Sequence, residues 1–455
     1  MSPSRQLTNW KDAIAELDGI ETITDRDRVA KLSLDYYHFS PILQQQLADK
    51  RGNCVVRPTD ENQVLQIARA CVKHRVSLTI RGAGTGNYGQ CIPLKSGIIL
   101  DTTQMNAIRW IRDGIARVEA GVKMAVFDKQ ARQQGWELRM YPSTYRTATL
   151  GGFIGGGSGG IGSITYGMLA DRGNVLAARV VTLEDEPKIL ELRGDEIQKI
   201  NHAYGTNGII TELELPLAPA YPWAELIVIF DDFMSAARFG QALGNADGLI
   251  KKLICICAAP IPSYFPALKD YLPKGKHCAL LMVAESSLES FQDLVREYGG
   301  EITYSKTALE ASKGVSLAEF TWNHTTLHAR SIDPNLTYLQ TMFFNLDLVE
   351  ELYQHFGNEV MMHLEFSRAD GKTVPGGLQL VRFTNEERLN EIIAYHEARG
   401  AAIANPHTYH LESTGRQTLD SLQLQFKEQV DPYGLMNPGK MKSWWERQSV
   451  RSLES

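Results

Sequence analysis

A glycine-dense segment in the first half of the chain most constrains how this sequence can fold. Within a dozen positions it carries Gly151, Gly152, Gly155, Gly156, Gly157, Gly159, Gly160 and Gly162. We do not expect a regular helix or strand here, because glycine contributes no side-chain packing and costs backbone entropy. Bare amides in a turning, glycine-rich loop form a concave site for an anion. The segment therefore predicts that the backbone closely approaches a large, flat cofactor that carries a pyrophosphate.

The sequence on either side of this segment argues against a flexible glycine-serine linker. A turn-forming Tyr-Pro-Ser cluster at residues 141–143 precedes it, and an apolar β-type run at residues 175–182 follows it. A dinucleotide-binding G-x-G-x-x-G pattern can be read from Gly155 to Gly160. That pattern lacks a clear preceding strand and a later acidic residue for a ribose, so it is the weaker alternative.

Length, charge and cysteine spacing limit the classes of protein to which this chain can belong. The 455 residues are too many for one core, so we expect two or three domains. The net charge of -6 argues against a nucleic-acid partner. The N-terminus lacks an apolar signal segment, and no apolar run approaches the roughly 20 residues of a bilayer span, which predicts a cytoplasmic protein without a transmembrane segment. The six cysteines show no C-x-x-C spacing, so we expect neither a zinc nor an iron–sulfur site.

A second glycine-rich loop precedes the dense segment. Residues 55–58 read as a strand that ends at a proline, residues 59–74 as a capped amphipathic helix, and residues 77–81 as a second strand. The loop R-G-A-G-T-G-N-Y-G at residues 81–89 follows directly. Two phosphate-type loops in one chain are harder to attribute to coincidence than either loop alone.

Four motifs in this order resemble a known family. They are V-V-R-P-T-D, R-G-A-G-T-G-N-Y-G, P-S-T followed by T-L-G-G and G-G-S-G-G, and G-T-N-G-I-I-T-E-L-E-L-P-L. Together they resemble the FAD domain of the vanillyl-alcohol oxidase, or PCMH-type, family, and the ending D-P-Y-G-L-M-N-P-G-K resembles that family's C-terminal motif. The nearest branch is the glycolate oxidase and D-lactate dehydrogenase type. The resemblance implies an α+β fold in which a PCMH-type FAD-binding domain of two α/β subdomains carries an antiparallel, ferredoxin-like α+β cap.

The expected domains follow from the motifs and from a change of pattern near residue 220. They are an N-terminal helical arm at residues 1–46, the FAD-binding domain at 47–219, the substrate or cap domain at 220–403, and a segment at 404–455 that returns to the FAD domain. Hydrophobic periodicity predicts cap strands at residues 225–231, 248–258, 278–285, 337–344, 359–366 and 378–383. It predicts helices at residues 232–243, 288–298, 347–356, 385–399 and 418–430.

The resemblance assigns the FAD site residue by residue. It places the pyrophosphate at Arg81, Gly82, Ala83, Gly84, Thr85, Gly86 and Asn87. It places the rest of the cofactor along Pro142, Ser143, Thr149, Gly151, Gly152, Gly155, Gly208, Ile209, Ile210 and Asn437. Thr85 stands where covalent members of the family have a histidine, and the Tyr-Pro-Ser-Thr segment stands where the doubly attached branch has a cysteine. The resemblance therefore implies that FAD is held non-covalently.

Histidines of the cap and of the return segment are the candidates for chemistry, although a single histidine is often only a surface or core residue. His407 is the first candidate for a catalytic base, because Pro406 fixes the chain before it and it lies about where the glycolate oxidase branch carries its E-H-G turn. His324 and His363 are the alternatives. Candidate substrate contacts are Trp322, His328, Tyr338 and His410.

The chain departs from the D-lactate dehydrogenase pattern at the metal site. It has no H-x-G-D-G-N-x-H segment, and Asn-Pro-His replaces the Glu-His-Gly turn. We therefore expect no bound metal, although His324, His328 and His363 could in principle assemble a metal site.

These features predict an FAD-dependent oxidoreductase that oxidises a hydroxyl-bearing carbon of a small substrate, either a 2-hydroxy acid or an alcohol. The electron acceptor is undetermined and can be oxygen, a quinone or a protein, and an oligomer is left open. The alternative is a flavin-binding electron-transfer or regulatory subunit of a larger complex without turnover of its own.

Overall fold

The computed structural model describes residues 9–413 and 421–454 of the chain. In this part of the chain, a four-stranded and a six-stranded sheet build the first half, and an eight-stranded sheet dominates the second half together with a small three-stranded one. This arrangement confirms the predicted combination of an α+β binding domain and an antiparallel cap.

The first sheet presents the loop that follows Arg81. Its strands, in spatial order, are Glu21–Ile23, Cys54–Arg57, Ile98–Asp101 and Leu78–Arg81. The last three run parallel, so their carboxyl ends meet at one edge of the sheet. Helix Glu61–His74 leads from one of them to the next, and the Asp60 side chain caps it by accepting a hydrogen bond from Gln63 N at 2.9 Å. The sheet thus delivers the glycine loop at its ligand-binding edge.

The C-terminal segment forms hydrogen bonds with this sheet. Leu78 N donates to Leu435 O at 2.8 Å, and Asn437 N donates to Leu78 O at 2.8 Å. Helices Ser421–Val430 and Lys442–Glu454 flank the return. The first residues of the helix expected at 418–430 lie outside the described residues.

The second sheet supports the glycine-dense segment. Its strands are Ile108–Arg112, Ile115–Glu119, Ile209–Pro219, Ala177–Val181 and Ile189–Arg193, with Trp136–Leu138 paired to the central strand. The segment begins as the helix Leu150–Gly156, so the expectation that no regular structure contains these glycines is wrong. The reason is close packing, since a Cβ on Gly151 would lie 2.6 Å from the Ala120 Cβ. Only glycine lets this helix approach the sheet so closely.

The eight-stranded antiparallel sheet forms the cap. Its spatial order is Glu301–Lys306, Trp223–Phe230, His277–Ala284, Lys251–Cys257, His363–Ala369, Lys372–Gly377, Gln340–Met342 and Ala402–Ala404. Helices Phe233–Asn245, Leu288–Glu297, Leu346–Phe356 and Glu386–Ala398 share one hydrophobic core with the sheet. Residues on its other face, such as Cys255 and Leu280, join a core that also contains residues of the second sheet. The predicted cap helices are present, and so are the predicted strands, although residues 337–344 and 359–366 each contain two short strands instead of one. Three further strands, Glu301–Lys306, Lys372–Gly377 and Ala402–Ala404, were not predicted from the pattern.

Shorter elements complete the described chain. The three-stranded sheet consists of Leu336–Tyr338, Leu380–Arg382 and Val360–Met361. The remaining α-helices are Asn9–Ala15, Arg26–Leu32, Pro41–Leu47, Met124–Arg132, Ser163–Tyr166, Ala308–Ala311 and Asn323–Ile332. In the described ranges, no helix combines the length and the apolar character that a membrane crossing needs.

A buried ion pair fastens the cap to the second sheet. Lys252 Nζ donates to Glu137 Oε1 at 2.5 Å and to Leu138 O at 2.9 Å, and both charged side chains are buried. Trp223 Nε1 donates to the same carboxylate at 2.9 Å. Gly162 N donates to Lys252 O at 2.8 Å. Because breaking a buried pair costs about 3–5 kcal/mol, these contacts hold the cap over the glycine-dense segment.

Candidate functional site

A cavity lies between the two glycine-rich loops and the cap. Its empty volume is about 1350 Å³, including the mouth that opens to solvent. The predicted FAD residues in its wall are Gly82, Ala83, Gly84, Thr85, Gly86, Asn87, Pro142, Thr149, Gly151, Gly152, Gly155, Gly208 and Ile210. The cap and the return segment contribute Trp322, Asn323, Gln340 and Ala404. Loops that are distant in sequence therefore share one elongated space with the cap.

The loop after Arg81 is shaped by contacts that exclude side chains. Gly84 has a φ of +68°, and a Cβ there would lie 2.2 Å from the Arg81 guanidinium. A Cβ on Gly82 would lie 2.2 Å from Thr149 Oγ1, in the N-cap residue of helix Leu150–Gly156. The two glycine segments therefore touch each other at this point. The loop carries no bulky side chain between residues 82 and 86, so its amides stay accessible to an anion in the cavity.

Two glycines of helix Leu150–Gly156 face free space instead. A Cβ on Gly155 would meet no other atom closer than 4.0 Å, which is the distance to Ile210 Cδ1. A Cβ on Gly156 would lie no closer than 3.9 Å to Gln90. Both glycines line the cavity, so packing within the protein does not explain why they are glycines. A flat group lying against the backbone explains it.

Four polar side chains of the wall have buried atoms without a hydrogen-bond partner. Among the described residues, Asn87 Nδ2, Tyr88 Oη, Trp322 Nε1 and Asn323 Oδ1 all lack one. All four residues line the cavity, two from the first glycine loop and two from the cap. Because a buried polar group without a partner costs about 1–3 kcal/mol, these atoms indicate a ligand with donors and acceptors at both ends of the site. The residues present thus fit a bound flavin dinucleotide.

Charged groups lie behind the first loop rather than in the cavity. Arg81 donates to Leu34 O at 2.5 Å, and Lys440 Nζ donates to Gly89 O at 2.5 Å. Burial raises the pKa of the Asp35 carboxyl to about 6, although both cations oppose this shift. Burial likewise lowers the pKa of Lys440 to about 7. Two basic groups face one carboxyl here, which favours an anion on the far side of the loop.

Four predicted FAD residues do not line the cavity, namely Arg81, Ser143, Ile209 and Asn437. Ser143 and Ile209 are buried. Asn437 Nδ2 donates to Gln90 O at 2.7 Å and to Tyr204 O at 2.6 Å. Both of these neighbours line the wall, so Asn437 joins the C-terminal segment to the site without facing it.

Several wall residues were not predicted from the sequence. They include Gln90, Cys91, Phe153, His202, Tyr204, Asn323, Gln340 and Ala404. His202 and Tyr204 both have positive φ angles, of 54° and 52°, and the ring of His202 lies 2.9 Å from Gly157 O. Two rings directly before the G-T-N-G motif are a signal that could have identified this pair. Gln340 and Ala404 meet only because their strands are paired.

His407 is buried away from the cavity wall. Its Nε2 donates to Tyr338 O at 3.0 Å, so its Nδ1 accepts from Ser40 Oγ at 2.8 Å. Burial lowers the pKa of His407 to about 4. The ring is therefore neutral near pH 7, with both nitrogens engaged. Tyr338, which is also buried, likewise does not line the cavity.

His324 and His328 lie on the helix that begins beside the cavity. His324 Nδ1 is 3.3 Å from Glu319 Oε2, and this contact lowers the pKa of the Glu319 carboxyl. His328 stacks on Phe320 at 4.7 Å between ring centroids, and burial lowers its pKa. Neither histidine lines the wall, and neither does His410. Of the predicted substrate contacts, the structure places Trp322 in the wall.

His363 belongs to a buried cluster in the cap sheet. Its Nε2 lies 2.9 Å from Glu365 Oε1 and 3.4 Å from Cys255 Sγ, while its Nδ1 donates to Leu378 O at 3.0 Å. Among the described residues, Cys255, Cys257 and His363 form a group that could hold a metal ion. His324 and His328 are not part of it. A C-x-C spacing on a strand, rather than C-x-x-C, is the signal that the sequence offered.

Trp322 connects this cluster to the cavity. Its backbone has φ 52° and ψ −138°, a conformation that is rare for a bulky residue and costs about 1–3 kcal/mol. Its backbone N–H donates a hydrogen bond to Glu365 Oε1 at 2.6 Å. The carboxylate therefore holds a strained residue whose indole forms part of the wall.

Comparison with known proteins agrees with this geometry. Residues 53–190, which contain both glycine-rich segments, match the family described as FAD binding domain. The chain is similar to the glycolate oxidase subunit GlcD of Escherichia coli, with 29% identity over 208 residues that cover 43% of this chain and 40% of that protein. It is also similar to the D-lactate dehydrogenase of Archaeoglobus fulgidus, with 28% identity over 175 residues that cover 36% of this chain and 38% of that protein. The matches thus span less than half the length of these relatives.

The likeness in three dimensions extends further. A solved alkyldihydroxyacetonephosphate synthase superposes with a TM-score of 0.73 at 16% identity, covering 94% of this chain and 85% of that one. At that identity the likeness concerns the fold alone, and it includes the cap. These matches confirm the resemblance from which FAD was predicted.

Proposed function

We propose that the protein, whose residues 53–190 match the family described as FAD binding domain, is an FAD-dependent oxidoreductase that oxidises a hydroxyl-bearing carbon of a small organic substrate. The observation that carries the proposal is the shared cavity. One end of it is built from bare loop amides, and the other end is roofed by polar cap residues with free hydrogen-bonding atoms. The names of the similar glycolate and lactate enzymes support the reaction class.

The chain's own residues would hold the cofactor as follows. Amides of residues 82–86 bind the pyrophosphate, aided by the basic groups behind the loop. Gly155 and Gly156 let the flat part of the cofactor lie against the helix backbone. Asn87 Nδ2 donates to the cofactor. The bound flavin supplies the hydride acceptor, and the protein supplies position and electrostatics.

We further propose that FAD is held without a covalent bond. Thr85, the counterpart of the family's attached histidine, has no imidazole with which to bond. Cys91 and His202 also line the cavity. Burial raises the pKa of the Cys91 thiol to about 11, so it stays protonated near pH 7 and is a poor nucleophile.

The wall favours an alcohol over a 2-hydroxy acid. Among the described residues that line the cavity, none is Arg, Lys, Asp or Glu. A carboxylate substrate would need a charged or multiply bonded partner here, because an unpaired buried charge is costly. The polar groups of Asn323 and Gln340 suit neutral hydroxyl groups instead. We therefore propose an uncharged polyol or alcohol as the substrate class.

His324 is the base candidate that this geometry supports best. Trp322 and Asn323, directly before it, line the wall, and its Nδ1 lies 3.3 Å from the Glu319 carboxylate. A base that is oriented by a carboxylate on its other nitrogen is a recurring catalytic arrangement. His407 lacks a free nitrogen for this task, because both of its ring nitrogens are engaged.

Anaerobic reduction of the purified yellow protein tests the proposal. Pairs of substrates that differ only in charge, such as lactate and 1,2-propanediol or glycolate and ethylene glycol, are added while the oxidised flavin band is followed. We expect bleaching by neutral members, slowed about 10²–10⁴-fold in His324→Ala without loss of bound flavin. Bleaching by the acids alone would contradict the substrate class, and an unchanged rate in His324→Ala would exclude that residue as the base.

A flavin-binding subunit without turnover is the second candidate. It is favoured by one observation, that none of the three candidate histidines lines the described wall. In that case no substrate of a broad panel bleaches the flavin, whereas dithionite still reduces it.

A further inference from the structure

A cluster of sulfur, nitrogen and oxygen atoms lies in the cap sheet beside the cavity, and we propose that it binds a divalent cation of the zinc class. Cys255 and Cys257 are alternate residues of one strand, so both thiols lie on the same face of the sheet. His363 pairs with Cys257 on the neighbouring strand, and Glu365 pairs with Cys255. The first three side chains are 0% exposed, and Glu365 is 2% exposed.

The spacing of the ligand atoms suits a tetrahedral ion. Cys255 Sγ lies 3.8 Å from Cys257 Sγ and 3.4 Å from His363 Nε2. All three ligand atoms lie within 4.8 Å of one another. With zinc–sulfur bonds of about 2.3 Å and zinc–nitrogen bonds of about 2.0 Å, two ligands of a tetrahedral zinc ion lie roughly 3.5–3.8 Å apart. The cluster therefore needs only small shifts to enclose the ion.

The orientation of His363 supports the same conclusion. A carbonyl oxygen can only accept, so the contact of Nδ1 with Leu378 O at 3.0 Å places a hydrogen on Nδ1. In the neutral ring, Nε2 then presents its lone pair to Cys255 and to the Glu365 carboxylate. The Nε2 atom and the Glu365 carboxylate oxygen lie 2.9 Å apart, so an ion between these strands would contact both. A hydrogen bond from the second nitrogen to a carbonyl is the usual support of a metal-bound histidine.

Glu365 supplies the fourth position and links the ion to the cavity. Its Oε1 contacts His363 Nε2 and also accepts a hydrogen bond from the backbone N–H of Trp322. An ion held by two thiolates, one imidazole and this carboxylate would lock the strained backbone of Trp322, and with it one wall of the cavity. Thiolate and imidazole ligands select zinc over magnesium or calcium. Binding releases the two thiol protons, and a site this buried is filled as the chain folds.

Metal content and cobalt spectroscopy test this proposal independently of any turnover. The full-length holoprotein is produced in medium with zinc or with cobalt, passed through a mild chelator, and analysed for metal by mass spectrometry. We expect about one ion per chain, and a cobalt form with thiolate charge-transfer and tetrahedral ligand-field bands in its difference spectrum against the zinc form. Cys255→Ala and Cys257→Ala should each lose at least about 90% of the ion, because each variant leaves the site with a single thiolate. Cys71→Ala, which removes a buried thiol from helix Glu61–His74, should keep it.

A mercurial titration of the wild-type protein covers the case in which the variants do not fold. Zinc should be released as the thiols react, and a colorimetric chelator reports it. A wild-type protein that retains no stoichiometric metal and shows no thiolate band with cobalt overturns the proposal. The contact between His363 Nε2 and Glu365 Oε1 would then be an ordinary hydrogen bond within the cap sheet.

Discussion

Gly155→Ala separates the cofactor role of the glycine-dense segment from its structural role. Gly155 lies in helix Leu150–Gly156, and an added Cβ meets no protein atom closer than 4.0 Å. In a helix, alanine is more favourable than glycine by roughly 0.5–1 kcal/mol. The apoprotein should therefore be as stable as the wild type or slightly more stable, because the substitution fills space that no protein atom uses.

The same methyl group should weaken flavin binding. Overfilling a packed site costs about 1–3 kcal/mol, and each 1.4 kcal/mol is a tenfold change in the dissociation constant. We expect FAD to bind about 10–100-fold more weakly, measured by quenching of flavin fluorescence when apoprotein is titrated into FAD. Unchanged affinity together with unchanged stability would refute the assignment of this space to the cofactor.

Gly151→Ala is the matched control in the same helix. There, an added Cβ would lie 2.6 Å from the Ala120 Cβ and 2.9 Å from the Ala120 carbonyl oxygen. The apoprotein should lose about 1–3 kcal/mol of unfolding free energy, because the helix must move away from the sheet. Opposite signs of the stability change in the two variants are the outcome that distinguishes cofactor space from protein packing.

Two further predictions concern the attachment of the flavin and the buried His407. Acid precipitation should leave all flavin in the supernatant, measured by its absorbance, whereas colour in the pellet would point to a bond to Cys91 or His202. Because burial lowers the pKa of His407 from its usual 6.5 to about 4, the unfolded chain gains a proton first as pH falls. His407 therefore contributes up to about 3 kcal/mol above pH 6.5 that is lost as pH falls through 4, and His407→Gln should flatten this part of the melting-temperature profile.

The cofactor half of the site was readable from the sequence because it is built from contiguous loops. Residues 82–87 are neighbours in the chain, and all six of them line the cavity wall. A dense run of glycines is uncommon, so it indicates that another group closely approaches the backbone there. The helical state of Leu150–Gly156 was missed, because propensity weighs against glycine whereas tertiary packing against Ala120 decides.

The substrate half was not readable in the same way. Gln340 and Ala404 lie opposite each other only through strand pairing, and His202 faces the cavity through a positive φ that its sequence does not announce. Distance along the chain from the N-P-G-K motif drew attention to His407. In the structure, His407 instead forms hydrogen bonds with Ser40 and Tyr338. Sequence spacing locates a segment, but the direction of one imidazole depends on three-dimensional partners.

The cofactor half and the substrate half of the site come from different parts of the sequence, and this difference affects substrate specificity. The residues that would hold FAD are largely backbone groups of glycine loops, which tolerate no side chains and therefore change little without loss of the cofactor. The opposite wall consists of single side chains, namely Trp322 and Asn323 at the start of helix Asn323–Ile332 and Gln340 on a strand of the cap sheet. Exchanging one of them alters the shape and polarity seen by a substrate while the loops stay intact. We therefore expect the identity of the substrate to depend on cap residues beyond the matched segment 53–190, where Glu365 holds Trp322 in its strained conformation by accepting its backbone N–H.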